Sequence, residues 1–220
     1  MDRAEIDLAL RSQPVLAAAT APGLEALSRT ASVATLTDAQ ALFVQGEASD
    51  AAYVVLSGAI VISTVSDEGQ EVHFADLGPG TLFGELAVLD GGPRTAGATA
   101  RGPCRLVRIA ADAFVRLVRS EPDVALALLR DLCAKLRATD VRLEDRSVLP
   151  LEERLAKFLR AEADGRGRIA LTQSQIAERV GVSREAVNRR LRALAASDVV
   201  RLRRGCVVIA DPGALGERGV

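Results

Sequence analysis

The sequence predicts an α+β protein: an antiparallel β-roll, then a long helix, then a C-terminal winged helix-turn-helix. Three observations carry this. From Ser32 to Ile109, short runs rich in Val, Ile and Leu are punctuated by Gly46, Gly58, Asp67-Glu68-Gly69 and Gly78-Pro79-Gly80, the turn spacing of an antiparallel barrel or double-sheet roll. From Asp123 to Arg146 the chain holds neither glycine nor proline. From Thr172 to Ala196 two helical stretches flank Gly181, each preceded by a capping residue.

Taken in order, residues 4 to 30 have helical spacing with breaks at Pro14 and Pro22, which predicts one or two short lead-in helices. The strand candidates are Leu42 to Val44, Tyr53 to Leu56, Ile60 to Val65, Glu71 to Leu77 and Cys104 to Ile109. Ser120-Glu121-Pro122-Asp123 offers an N-cap, a first-turn proline and an acidic residue for the next helix. Along it, Ala125, Leu129, Leu132, Leu136, Thr139 and Leu143 follow spacings of 4, 3, 4, 3 and 4, a coiled-coil seam with one polar member. At roughly 1.5 Å per residue the helix is about 40 Å long, more than a small barrel covers. A symmetric dimer through this helix is the preferred reading, and packing on its own barrel the alternative. Pro150 to Ala163 reads as an amphipathic helix and Asp164 to Gly167 as a link. Thr172-Gln173-Ser174-Gln175 is a capping box opening a helix over Gln173 to Val180, Gly181 allows a left-handed turn, and Ser183 caps a helix to about Ala196. Val199 to Arg201 and Cys206 to Ile209, split by Arg203-Arg204-Gly205, read as the strands of a wing.

Charge is unevenly distributed. Residues 151 to 220 hold 14 Lys or Arg against 9 Asp or Glu, net +5, whereas residues 1 to 150 hold 14 against 20, net −6. A basic C-terminal third suits contact with a polyanion. Cys104, Cys133 and Cys206 lie far apart, too few and too scattered for a disulfide, metal or iron–sulfur pattern. His73 is the only histidine and reads as a packed strand residue, so no metal or haem is expected. No nucleophile is paired to a base, which argues against an enzyme. No apolar run is long enough to span a bilayer and the N-terminus is charged, so a cytoplasmic protein with no membrane partner is expected.

Residues Phe83 to Thr95, Phe-Gly-Glu-Leu-Ala-Val-Leu-Asp-Gly-Gly-Pro-Arg-Thr, have the layout of a phosphate pocket. Backbone N–H groups of Gly84, Glu85 and Leu86 open a short helix, an end that attracts anions, and Arg94 supplies a permanent planar charge able to grip a phosphate bidentately. A carboxylate beside an anion needs a donor, and a ribose 2′-hydroxyl is one, so Glu85 reads as a sugar contact. This stretch resembles the cassette of the cyclic-nucleotide-binding domains of the cyclic-AMP receptor protein (CRP/FNR) family, of cyclic-nucleotide-dependent kinases and of gated channels. The resemblance implies a cyclic-nucleotide-binding jelly roll, with cyclic AMP (cAMP) or cyclic GMP (cGMP) as effector. It carries Thr139 over as the contact to the adenine amino group. Asp140 stands where the family usually has serine from the other subunit, and Thr95 resembles both cyclic-GMP-binding and bacterial cyclic-AMP-binding members, so the base stays open. Gly97 stands where many members carry threonine.

The output half completes the resemblance. In a helix beginning at Ser183, residues Arg184, Glu185, Asn188 and Arg189 share a face that can enter a major groove; arginine reads guanine and glutamate accepts from cytosine N4. Ile176-Ala177 and Val180-Gly181-Val182-Ser183-Arg184 resemble the same receptor family. Ser183, Arg184, Glu185 and Arg189 match its pattern for a TGTGA-like half-site in a palindromic operator, and Asn188 replaces a small residue. Thr172 belongs to the expected DNA-binding set, and Arg201, Arg203 and Arg204 read as phosphate contacts. The resemblance implies a sensor domain over residues 1–118, a dimerisation helix over 119–148 and a winged helix-turn-helix DNA-binding domain over 149–220. The expected partners are double-stranded DNA, a second copy as homodimer, and RNA polymerase.

Overall fold

The computed structural model describes residues 3–65 and 71–217, divided into two compact units, Met1–Lys135 and Leu136–Val220. The turn expected at Asp67-Glu68-Gly69 and the side chain of the seam residue Leu143 lie outside the described residues.

In the first unit, helices α1 (Arg3–Ser12) and α2 (Ala21–Thr30) flank a single 3-10 turn at Leu16–Ala18. Pro22 does not break α2. It sits in the first turn, where its missing N–H leaves no bond unmade, and Thr20 caps the helix by accepting from Gly23 N. The roll consists of β1 (Ser32–Leu36), β2 (Ala41–Phe43), β3 (Ala51–Val65), β4 (Glu71–Leu77), β5 (Leu82–Phe83) and β6 (Gly97–Ala110), all pairings antiparallel. The path runs β1-β6-β3-β4, with β2 added to β6 and β5 to β3.

Gly58 was expected as a turn separating two strands, but β3 runs through it in a bulge. Glycine is needed there for close approach: a Cβ would lie 2.5 Å from Pro103 O and 2.9 Å from Cys104 Cα. Side-chain alternation along β3 then splits the core. Ala52 and Val54 face the helices, joining Leu10, Leu16, Leu24 and Phe114, while Ala51, Tyr53 and Val55 face the roll interior with Leu36, Phe83 and Leu106.

Helix α3 (Glu85–Asp90) follows β5; α4 (Ala111–Ser120) and α5 (Pro122–Val148) follow β6. Ser120, expected as the N-cap of the long helix, is instead the last residue of α4, its hydroxyl donating to Leu117 O. The neighbouring Glu121 reaches back to the start of α2, its carboxylate accepting from Thr20 Oγ1 at 2.6 Å and from Thr20 N at 3.3 Å. Val124 and Leu128 of α5 are buried in the first unit's core, whereas the seam residues Leu129 and Leu136 are 59% and 61% exposed. The helix therefore packs on its own roll along one stripe and leaves part of the seam uncovered.

The second unit contains α6 (Leu151–Glu162), β7 (Arg168–Ile169), α7 (Gln173–Val180), α8 (Arg184–Ala196), β8 (Val200–Arg203), β9 (Cys206–Ile209) and α9 (Ala214–Glu217). Its sheet runs β7-β9-β8, one strand more than the hairpin expected. Leu155, Leu159, Ile176, Val187, Leu191 and Val207 close one core among the helices and this sheet. Among the described residues no helix is long and apolar enough to cross a membrane.

Candidate functional site

Strand β5 delivers the chain to Gly84, whose left-handed φ of 73° turns it into α3. A Cβ at Gly84 would stand 2.8 Å from Arg94 Nη1. Gly84→Ala is therefore expected to cost about 1–2 kcal/mol from the left-handed backbone alone, read as a lower urea midpoint, with a further loss as Arg94 is pushed aside.

Arg94 approaches this turn from a separate segment. It lies ahead of β6 on an extended segment whose backbone pairs with Gly46 and Glu47, with Gly46 N donating to Arg94 O at 2.9 Å and Arg94 N to Glu47 O at 2.8 Å. Its side chain is 3% exposed. Nη1 donates to Gly84 O at 2.9 Å and Nη2 to Ala51 O at 2.8 Å, while Nε is buried with no hydrogen-bond partner among the described residues. Burial pulls this guanidinium below the ordinary arginine range.

Glu85 is also buried, and its Oε1 accepts from Lys135 Nζ at 2.9 Å. Lys135 also pairs with Asp131 at 2.9 Å. Burial alone would lower the Lys135 ammonium, but the Glu85 and Asp131 carboxylates outweigh it and hold the group above the usual lysine range. Sequence reasoning missed Lys135, although a signal was present: Asp131, Lys135 and Thr139 follow one another at i, i+4 and i+8, on one helix face. The structure thus gathers Gly84, Glu85, Leu86 and Arg94, with Thr95 exposed beside them. Thr139 and Asp140 belong to the second unit, on the exposed course of α5.

In the second unit the capping box forms as predicted. Gln175 N donates to Thr172 Oγ1 at 3.2 Å, and Thr172 N donates to Gln175 Oε1 at 2.8 Å. Gly181 ends α7 at φ 75°, and Ser183 Oγ accepts from Ala186 N to start α8. Helix α8 buries Val187, Leu191 and Leu194 and exposes Arg184, Glu185 and Arg189; Asn188 is half-buried, with Oδ1 unpartnered. Arg190 lies 3.5 Å from Glu152 of α6, bracing α8 from behind. Arg203 and Arg204 stand exposed at the turn between β8 and β9.

Arg184, Arg203 and Arg204 line one cleft of about 230 Å³ together with Thr172, Gln173 and Ser174 at the opening of α7. Three arginines and a helix N-terminus in a cleft lined by no carboxylate make an anion-binding surface. Gln173 and Ser174 were not singled out from sequence; only the folded hairpin shows that they share this cleft.

A roll that buries an arginine against a left-handed glycine, carried on one chain with a winged helix-turn-helix bearing a basic cleft, defines a DNA-binding transcription regulator with a cyclic-nucleotide-binding domain. Residues 33–121 match the cyclic nucleotide-binding domain family and residues 153–218 the Crp-like helix-turn-helix domain. The chain is 35% identical over 186 residues to a CRP-like cAMP-activated global transcriptional regulator of Mycobacterium tuberculosis, covering 80% of this chain and 83% of that one. It is 36% identical over 178 residues to the cyclic AMP receptor protein of Thermus thermophilus, covering 80% and 82%. The crystal structure of Thermus thermophilus catabolite activator protein superposes with a TM-score of 0.55 at 32% identity, covering 93% and 97% of the two chains. The c-di-GMP responsive global regulator CLP of Xanthomonas campestris shares the fold, with a TM-score of 0.77 at 21% identity over 86% and 99%. The chain belongs to the CRP/FNR family of transcription regulators.

Proposed function

We propose that this regulator is a cytoplasmic homodimer, without catalytic activity, whose binding to palindromic DNA with TGTGA-like half-sites is controlled by a cyclic nucleotide, cyclic AMP ahead of cyclic GMP. The observation that carries the reading is Arg94: a buried guanidinium beside the Gly84 turn, with an Nε–H that no group among the described residues satisfies. A buried donor of that kind calls for an acceptor, and a cyclic phosphate supplies one. In this reading Gly84, Glu85, Leu86, Arg94 and Thr95 hold the sugar-phosphate, Glu85 exchanging Lys135 for a ribose hydroxyl, and Thr139 and Asp140 meet the base. The sensor spans residues 1–118, and residues 119–148 pair with the second copy through Leu129 and Leu136.

Ligand would favour one arrangement of the paired helices and so set the spacing of the two copies of α8 carried by residues 149–220. Ser183, Arg184, Glu185, Asn188 and Arg189 face the bases, and Thr172, Arg203 and Arg204 the phosphates, with RNA polymerase as a further partner. Calorimetric titration of nucleotide-stripped protein with cyclic AMP and, separately, cyclic GMP tests the effector. Saturable heat with one of them, accompanied by tighter operator binding, is the expected result. No heat and no thermal stabilisation with either would leave a regulator whose sensor works without a cyclic nucleotide.

A further inference from the structure

Arg94 poses an electrostatic problem. A guanidinium 3% exposed would ordinarily be neutralised by a carboxylate at hydrogen-bond distance. Here the carboxylate beside it, Asp50, stands at 3.7 Å, is 70% exposed, and is held by Arg108 at 2.7 Å. What lies against the charge is an aromatic face. Arg94 Cζ sits 4.1 Å from the centroid of the Phe43 ring and 5.7 Å from that of Tyr53. Phe43 closes β2 opposite Ala98 of β6 and is backed by Tyr53 at 6.0 Å and Phe83 at 6.3 Å, so its ring is wedged in the roll.

The two kinds of partner have different consequences. A carboxylate binds guanidinium in its plane, takes up two of the five N–H donors and cancels the charge. A ring binds over the face, through its quadrupole, and uses no N–H. Arg94 spends one in-plane donor on Gly84 O and one on Ala51 O, and Nε is left over. The charge is thereby stabilised in the roll with donors still uncommitted.

We infer that Phe43 is a positioning residue for the anion site: its ring face holds the Arg94 guanidinium in place and charged while leaving in-plane donors for the phosphate of the ligand. The inference rests on the cyclic-nucleotide reading given above.

The test separates the two. Cyclic AMP and cyclic GMP affinities are measured by calorimetry for the wild-type chain, for Phe43→Leu, and for chains carrying mono-, di- and trifluorinated phenylalanine at position 43. Fluorine drains the ring's negative face at nearly constant shape. Phe43→Leu is expected to weaken the bound nucleotide about 5- to 30-fold, and the fluorinated series to descend in steps towards it with an unchanged unfolding midpoint. Should Phe43→Leu fail to fold, the fluorinated series decides alone. Wild-type binding with a flat fluorine series would show that the ring only fills space, overturning the inference and leaving the effector reading intact. Uptake of neither nucleotide by the wild-type chain would overturn both.

Discussion

Arg94→Leu is expected to abolish nucleotide-dependent DNA binding. The substitution removes the buried charge proposed to face the phosphate and leaves Gly84 O and Ala51 O without the Arg94 donors. Truncating one partner of a buried, hydrogen-bonded charge pair costs about 2–5 kcal/mol, a loss of roughly 30-fold to several thousand-fold. Arg94→Lys should recover only part of this, because an ammonium is a point charge and cannot present two parallel N–H groups to a phosphate. Calorimetry gives the affinity, and fluorescence anisotropy on an operator duplex gives the response to ligand. If Arg94→Leu still tightens on DNA when cyclic AMP is added, the phosphate does not sit on Arg94 and the reading of the pocket is wrong.

The second large effect is expected at the DNA. Arg184→Ala should lose about 1–3 kcal/mol on a TGTGA-containing operator and far less on random duplex, since a guanine contact carries sequence information. Arg203→Ala, at the exposed hairpin turn, should weaken both duplexes alike and shallow the log–log salt dependence by about one charge. Neither change should alter nucleotide affinity. Competition titrations at several salt concentrations distinguish these patterns. Equal losses on both duplexes for Arg184→Ala would reassign this residue to a phosphate contact within the basic cleft that it lines with Arg203 and Arg204.

What could be read from sequence was what short-range chemistry decides. The capping box Thr172–Gln175, the left-handed Gly181 and the Ser183 cap are local hydrogen-bonding patterns, and the structure forms each of them. The Gly84 turn and the short helix after it are local in the same sense. Where distant chain segments decide, the letters were ambiguous. Gly58 looks like any turn glycine, and only the approach of Pro103 O makes it a bulge. The two-residue strands β5 and β7 have no pattern of their own; they exist because β3 and β9 lie beside them. Ser120 had capping chemistry but closes α4 instead, and tertiary contact sent its neighbour Glu121 to another helix. Lys135 and Phe43 were missed for a related reason. The spacing of Asp131, Lys135 and Thr139 marks one helix face, but neither that face nor a lone phenylalanine announces that a buried Glu85 or Arg94 will end beside it.

The bond between Glu121 and Thr20 gives α5 a fulcrum. Glu121 sits at the root of that helix and grips the head of α2, so the root cannot swivel without breaking two hydrogen bonds or carrying the N-terminal helices along. A carboxylate anchored across 101 positions of sequence thus takes up the slack between the start of α5 and the N-terminal helices.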